Sequence, residues 1–226
     1  MRLGLLGGSF NPIHRCHLSI ARSARQLLQL DRVLFIPTGD PPHKQPGTLS
    51  AASHRHRMVQ LAIQDTPEFA LTDLEIRRSG KSYSIDTVRA IQQEYGPDTV
   101  LFFIIGLDAF LDLPSWKEAD TLLKSCHFVV ISRPSTSFQA MAAIPLFRDV
   151  PQTTLTALDE ARQERADVAI TNGQTLTFLR LPPCDVSASK IRARLRSGAS
   201  LAKLLHTPLE SYILREGLYR EDSERL

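Results

Sequence analysis

Twelve residues near the start of the chain have the types and spacing of a phosphate-binding loop. The string GGSFNPIHRCHL occupies residues 7–18. Gly7 and Gly8 lack a Cβ, so the backbone can come close to a phosphate there. His14 and His17 lie near the start of a predicted helix, whose unpaired N–H groups and positive dipole end attract anions. Either feature alone is common in turns and on surfaces, but the whole string after a strand favours an anion site.

A second cluster of hydroxyl and basic side chains lies near the other end of the chain, in SASKIRARLRSG at residues 187–198. Ser187 is placed to cap a helix, and the N–H groups that follow it form a second anion site. Arg192 follows Ser189 by one helical turn and shares its face, whereas Lys190 lies on a different face and is predicted to be solvated. Two such helix starts suit a triphosphate.

The two histidines do not suit a protein metal site. The string lacks the glutamate of an HExxH motif, and no third ligand follows at a useful spacing. No carboxylate cluster elsewhere offers Mg²⁺ a cage of protein oxygens. We therefore predict no metal ligands in the chain.

The apolar pattern predicts the elements that must position these clusters. Strand-like runs alternate with helical stretches, and VLFFII at 100–105 is apolar throughout, which is typical of a parallel strand buried on both faces. The predicted strands are 2–6, 32–37, 100–105, 126–132 and 175–181, and the predicted helices are 17–29, 51–65, 84–95, 187–197 and 209–217. This order predicts an α/β fold, a Rossmann-like doubly wound parallel sheet with ligands at the carboxyl ends of its strands. The second helix should carry Met58, Leu61 and Ala62 on one face.

Size and composition are those of an ordinary globular protein. The chain has 226 residues, of which 42% are hydrophobic and 23% charged. We predict one domain over 1–226, with a core at 1–186 and a C-terminal helical segment at 187–226. The stretch 135–174 resembles nothing specific and is interpreted as a variable insertion. A net charge of +3 without basic runs disfavours a nucleic-acid partner, and no stretch reaches the roughly 20 apolar residues that span a membrane.

The cysteines indicate the compartment. Cys16, Cys126 and Cys184 are odd in number and widely spaced. They match neither a zinc pattern nor a disulfide framework, so we expect no disulfides and a reducing cytoplasm.

The two clusters also resemble known motifs. GGSFNPIHRCHL is similar to the signature of an adenylyltransferase superfamily with an HxGH element, here His14-Arg15-Cys16-His17, and 187–198 resembles its C-terminal serine-rich helix start. Within that superfamily the chain resembles the bacterial nicotinate-nucleotide adenylyltransferases. The further matching segments are GDPPHK at 39–44, KSYSIDT at 81–87, IIGLDAFLDLPSWKE at 104–118, SRP at 132–134 and ESYILREGLY at 210–219.

The resemblance implies transfer of the adenylyl group of ATP to nicotinate mononucleotide, giving deamido-NAD and pyrophosphate, with Mg²⁺ carried on the ATP phosphates. The implied catalytic residues are His14, His17 and Arg192. The implied ATP-binding residues are Gly7, Gly8, Ser9, Phe10, His17, Gly106, Asp108, Ser187, Ser189, Ile191 and Arg192. The implied mononucleotide-binding residues are Lys44, Tyr83, Thr87, Asp108, Trp116 and Arg133. ATP and nicotinate mononucleotide are thus the expected partners, and a homo-oligomer is left open.

Several of these residues also have a plain structural interpretation. Asp108 could accept ribose hydroxyls or cap a helix, and its position favours neither. Trp116 could stack on a pyridine ring, as the resemblance implies, although a lone tryptophan is more often buried in a core. Lys44 and Arg133 follow strand ends and suit phosphates, but a loop lysine is usually only solvated.

Three positions depart from the family pattern. Cys16 replaces the glycine between the two histidines, and we expect its side chain to pack inward rather than react. Asn11 stands where aspartate is common, and both can form an Asx-type turn. Ser189 replaces threonine and keeps the hydroxyl.

The alternatives are related adenylyltransferases that use nicotinamide mononucleotide or pantetheine phosphate, and a non-catalytic nucleotide sensor of the same fold. The pantetheine-phosphate enzymes are typically shorter and are not expected to carry the 104–118 segment. The amide mononucleotide differs by one group, which sequence discriminates poorly. A sensor has no need to keep His14, His17 and Arg192 together.

Overall fold

The computed structural model describes residues 1–42, 48–134, 136–201 and 204–220, apart from the side chain of Thr171. The strands are β1 (Arg2–Gly8), β2 (Arg32–Pro37), β3 (Phe69–Leu71), β4 (Val100–Gly106), β5 (His127–Ile131), β6 (Arg165–Ala169) and β7 (Thr175–Leu179). The helices are α1 (Arg15–Leu28), α2 (Ala52–Ile63), α3 (Leu74–Arg77), α4 (Ser84–Tyr95), α5 (Leu107–Leu111), α6 (Ala119–Ser125), α7 (Gln152–Asp159), α8 (Ala188–Arg196) and α9 (Thr207–Arg215). Short 3₁₀ turns are Leu113–Ser115, Phe138–Ala143, Pro145–Phe147 and Thr171–Gly173.

The described strands form one sheet in the order β3-β2-β1-β4-β5-β7-β6. β1 pairs parallel with β4, β4 with β5, and β5 with β7. β6 instead pairs antiparallel with β7, so that Ala166 lies opposite Phe178. The Rossmann-like α/β fold is confirmed, but a purely parallel sheet is wrong at this edge. The turn Thr171–Gly173 joins β6 directly to β7, and so short a connection can only reverse the chain.

The long apolar runs become buried strands, as predicted. Leu101 to Ile105 of β4 and Phe128 to Ile131 of β5 are buried. The strand at 32–37 and the helix at 84–95 have the predicted bounds, and the other predicted elements shift by one or two residues. The prediction omitted β3, β6 and the shorter helices, some of which lie in the stretch interpreted as an insertion.

The buried face of α2 differs from the predicted one. Its buried residues are Arg55, Met58, Val59 and Ile63. Of the predicted apolar face, Met58 is buried, whereas Leu61 and Ala62 are half-buried. Arg55, a charged residue, shares the buried face of this helix.

The chain divides into two compact units, each assembled from separate stretches. The first unit comprises Met1–Leu6, Ser23–Val33 and Tyr83–Pro183, and the second comprises Gly7–Arg22, Leu34–Ser82 and Cys184–Leu226. The glycine loop with its two histidines, at 7–18, and the serine-rich helix start, at 187–198, therefore both belong to the second unit. The 104–118 segment and Arg133 belong to the first. The single domain over 1–226 stays a prediction.

Candidate functional site

The glycine loop lies in the second unit, where β1 ends. A Cβ added at Gly7 would meet nothing within 4 Å apart from its chain neighbours, so this stretch of backbone is open on that side. A Cβ at Gly8 would lie 3.2 Å from the Phe10 ring, and the Gly8 carbonyl accepts a hydrogen bond from the N–H of Thr38 at 3.0 Å. The loop is thus anchored at Gly8 and open at Gly7, which suits close approach of an anion.

Phe10, implied as an ATP-binding residue, is buried in the structure. Its side chain is 2% exposed, and its φ of 42° lies in the left-handed region that favours glycine. Such a conformation costs a non-glycine residue about 1–3 kcal/mol, so the surrounding packing must hold it. The ring meets His17 edge-on with centroids 5.1 Å apart. Phe10 therefore supports His17 through its side chain.

The two histidines lie against each other. Their ring centroids are 3.9 Å apart, and the backbone N–H of His14 donates to Nδ1 of His17 at 3.2 Å. Because Nδ1 accepts this bond, a neutral His17 carries its proton on Nε2 and donates from there. α1 begins at Arg15, two residues before the predicted start, so His17 lies in the first helical turn. His14 is buried and His17 half-buried, which makes His17 the more accessible donor.

The start of α8 has the predicted serine cap. Ser187 Oγ accepts a hydrogen bond from the N–H of Lys190 at 3.2 Å and lies 3.2 Å from Ser189 Oγ. Ile191, implied as an ATP-binding residue, is fully buried, and its N–H donates to the Ser187 carbonyl. The two hydroxyls therefore face solvent at the helix start, whereas Ile191 packs the helix beneath them.

Asn11 connects three parts of the second unit. Its backbone carbonyl accepts a hydrogen bond from Arg192 Nη1 at 2.7 Å. Its Oδ1 accepts from the N–H of Ser50 at 3.1 Å and from the Tyr219 hydroxyl at 2.8 Å. Burial raises the pKa of Tyr219 to about 12, so the phenol stays a donor at neutral pH. The bonds described for Oδ1 are long-range, where a local Asx-type turn was expected, because two distant donors occupy its lone pairs.

Arg55 is a site-supporting residue that the sequence prediction missed. It is 2% exposed, and its guanidinium donates to the carbonyls of Ser9 and Ser50 at 3.0 Å each and of Gly39 at 3.4 Å. Desolvation by burial lowers the pKa of Arg55 below its ordinary value, and electrostatic interactions with Tyr219 and Glu75 oppose that shift. Arg55 ties the glycine loop to two other loops. An arginine on the apolar stripe of α2 was the signal for it.

The cysteines correct one prediction. Cys16 and Cys184 form a disulfide, although 168 residues separate them in sequence, and Cys126 is free and buried. Spacing along the chain could not show this, because the fold brings the two ends of the second unit together. Cys16 packs inward as expected, with 4% of its surface exposed.

In the first unit, Asp108 and Arg133 pair with each other. Asp108 Oδ1 lies 3.2 Å from Arg133 Nε, and both side chains are substantially exposed. A Cβ at Gly106 would collide with Arg133 Nε and Asp108 Oδ1, so the ion pair lies directly over this glycine. Three residues implied in nucleotide binding are thus brought together at the carboxyl end of β4, where the fold predicts a ligand.

Three other predicted mononucleotide residues are also in the first unit. Trp116 is half-buried, with its ring edge-on to Phe103 at 6.4 Å between centroids, so the indole is not enclosed in the core. Tyr83 is half-buried, with Lys117 Nζ 4.8 Å from its ring centroid. Thr87 is 2% exposed, and its hydroxyl donates to the Tyr83 carbonyl at 3.3 Å. Lys44 lies outside the described residues.

The described residues contain neither a metal-binding side-chain cluster nor a membrane-spanning helix. Within those residues, no group of three or more histidine, cysteine, aspartate or glutamate side chains could hold a metal ion. No helix in the same part of the chain is long and apolar enough to cross a membrane.

Comparisons with known proteins point to one group. Residues 5–194 match the model of the cytidylyltransferase-like family. A Geobacter metallireducens protein named "Probable nicotinate-nucleotide adenylyltransferase" is 41% identical over 98% of this chain and 100% of its own length. A Syntrophotalea carbinolica protein of the same name is 41% identical over 97% and 98%. The structure titled Plasmodium falciparum nicotinic acid mononucleotide adenylyltransferase complexed with NaAD has a TM-score of 0.70 at 20% identity, covering 96% of this chain and 97% of its own.

Proposed function

The chain belongs to the nicotinate-nucleotide adenylyltransferases of the cytidylyltransferase-like family, and from that premise we propose that it transfers the adenylyl group of ATP to nicotinate mononucleotide. The products are deamido-NAD and pyrophosphate. The observation that carries this proposal is that two helix starts suited to binding anions, at His17 and at Ser187, lie in the same compact unit.

The chemistry needs little acid–base catalysis. The nucleophile is a phosphate oxygen of the mononucleotide, which is already ionised at neutral pH. The barrier comes from negative charge that crowds together on the phosphate oxygens as the attacking oxygen approaches the α-phosphorus in line with the departing pyrophosphate. Positioning and charge stabilisation therefore supply the rate enhancement.

We assign the donors accordingly. Nε2–H of His17 donates to the α-phosphate, where charge develops, and His14 orients the phosphate chain. The start of α8, with Ser187 and Ser189, holds the β- and γ-phosphates. Arg192 assists there: its contact with the Asn11 carbonyl fixes the guanidinium and leaves further N–H groups for phosphate.

Residues of the first unit bind the mononucleotide. Trp116 stacks on the pyridine ring, and its partial exposure supports that role. Asp108 accepts ribose hydroxyls and Arg133 binds phosphate, so a bound ligand competes with their ion pair. Mg²⁺ is carried on the ATP phosphates and neutralises part of their charge. We further propose a cytoplasmic location, where the ATP that the reaction consumes is available.

Pyrophosphate release tests the proposal. Purified protein is incubated with Mg·ATP and either the acid or the amide mononucleotide, with pantetheine phosphate as a third acceptor. We expect the highest kcat/KM with nicotinate mononucleotide. A higher value with either of the other acceptors would assign the chain to a different branch of the family.

A further inference from the structure

The disulfide joins the two helix starts to which the proposed function assigns the phosphates of ATP. Cys16 lies between His14 and His17 in the first turn of α1, and Cys184 lies three residues before the Ser187 cap of α8. All of these residues belong to the second unit. We propose that the Cys16–Cys184 pair, called here the clasp, is a reversible redox control on ATP binding. This inference rests on the proposed function for its choice of ligand.

The clasp is not needed to bring the two helix starts together. Arg15 Nη2 contacts Asp185 Oδ1 at 2.7 Å, next to the disulfide. Arg192 Nη1 contacts the Asn11 carbonyl at 2.7 Å, between the same two segments. The reduced protein therefore keeps α1 and α8 adjacent through polar contacts. What the covalent bond adds is a tighter restriction on their relative movement.

Cys184 is the more exposed of the two cysteines, so we expect an attacking thiolate to approach from its side. Cys16 is 4% exposed, and its Sγ lies 3.2 Å from the Val186 carbonyl oxygen. Cys184 is half-buried and precedes the exposed Asp185. Arg15 pairs with the Asp185 carboxylate, and Lys190 Nζ donates to the Asp185 carbonyl at 3.0 Å. The positive charges of Arg15 and Lys190 near Cys184 attract an incoming thiolate and so support attack at this sulfur.

A dithiol supplies the two electrons that reduce the clasp. One thiolate of the dithiol attacks the Cys184 sulfur, the bond to Cys16 breaks, and Cys16 leaves as a thiolate that takes up a proton. The second thiol of the dithiol then attacks the mixed disulfide and releases Cys184 as a thiol. The dithiol is oxidised to a disulfide as the clasp is reduced, and a small-molecule disulfide reverses the process.

The third cysteine cannot take part. Cys126 is buried in the first unit, and burial raises the pKa of its thiol far above the ordinary value. It therefore stays protonated and unreactive, and it provides a matched control.

Disulfides of cytosolic proteins are usually transient and redox-sensing. In a protein proposed to be cytoplasmic, the Cys16–Cys184 pair therefore fits a switch better than a permanent link.

The clasp changes the affinity for ATP because ordering the two helix starts costs conformational entropy. With the clasp closed, the N–H groups and side chains that bind phosphate are held in place before ATP arrives. With the clasp open, ATP binding must restrict the two helix starts itself. We expect the Kd of Mg·ATP to rise about three- to tenfold on reduction, and the affinity for nicotinate mononucleotide, assigned to the first unit, to stay unchanged.

Calorimetric titration with Mg·ATP alone, without mononucleotide, tests this on the full-length protein. One sample is treated with dithiothreitol and one with oxidised glutathione, both are desalted, and circular dichroism checks that both are folded. Thiol titration after denaturation should count three thiols in the reduced sample and one in the oxidised sample, since Cys126 alone is free. Re-oxidation should restore the lower Kd.

Two variants test whether the redox response arises from the clasp. Cys184→Ser should bind ATP like the reduced wild type and should not respond to either reagent. Cys126→Ala should keep the full redox response. Equal Kd values in the two wild-type samples, tighter binding after reduction, or three thiols in both samples would each overturn the proposal. A redox response that persists in Cys184→Ser would do the same.

The pyrophosphate assay separates the two proposals. If neither redox form releases pyrophosphate with any acceptor, the proposed function fails, while the ATP titrations still decide the clasp. If pyrophosphate is released at the same ATP dependence in both forms, the function stands and the clasp fails.

Discussion

His14 donates its backbone N–H to Nδ1 of His17 at 3.2 Å, and this single bond decides how His17 can act. It directs the proton of the neutral imidazole to Nε2, on the side away from the backbone. The HxGH-type spacing thus has a physical purpose: the first histidine orients the second.

The first prediction follows from that bond. His17→Ala removes a donor that is assigned to charge developing in the transition state. We expect kcat to fall about 100- to 1,000-fold, with a much smaller change in the Kd of ATP. Steady-state kinetics and ATP titration measure the two effects. His206→Ala, at an exposed histidine near Asp65, is the control and should leave kcat unchanged. Near-normal turnover in His17→Ala would contradict the assignment.

The second prediction concerns Trp116. Trp116→Ala removes the indole assigned to the pyridine ring, and a lost stacking contact weakens binding by about 1–3 kcal/mol. We expect KM for nicotinate mononucleotide to rise about tenfold and KM for ATP to stay nearly constant. Trp116→Phe, which keeps a smaller ring, should give an intermediate KM. An equal rise in both KM values would mean that Trp116 serves the packing around Phe103 instead.

The third prediction concerns pH. Because burial raises the pKa of Tyr219 to about 12 from an unfolded value near 10, folding favours the protonated phenol. The contribution of the protonated Tyr219 phenol to the free energy of unfolding is complete below pH 10. It is lost as pH rises towards 12, and the total loss is about 2–3 kcal/mol. Urea unfolding of wild type and Tyr219→Phe at neutral pH and between pH 10 and 12 measures it. The variant should lose less stability across that range, and parallel pH profiles would rule out the assignment to Tyr219.

The fourth prediction concerns Arg55. Arg55→Ala leaves the half-buried carbonyls of Ser9, Ser50 and Gly39 without this donor, and an acceptor left unpaired away from water costs about 1–3 kcal/mol. We expect the free energy of unfolding to fall by about 3 kcal/mol or more. Arg57→Ala, on the exposed side of the same helix, is the matched control and should change it by less than about 0.5 kcal/mol. Similar losses in both variants would show that Arg55 does not hold the loop.

The sequence alone determined the features that depend on neighbouring residues. The glycine loop, the Ser187 cap and the buried strands β4 and β5 follow from local backbone preference and from the period of apolar residues. The serine cap needs only the N–H of Lys190, three residues on, so its signal lies within one helical turn. These features were predicted with errors of one or two residues at element ends.

Only the tertiary structure decided which distant residues meet. Nothing in the spacing of Cys16 and Cys184 indicates a bond across 168 residues, and nothing around Arg55 names its three carbonyl partners. Such pairs depend on chain topology, because folding brings together segments that share no local pattern. The sequence therefore pointed to the chemistry at His17 and Ser187, and the fold revealed the disulfide that joins their helix starts.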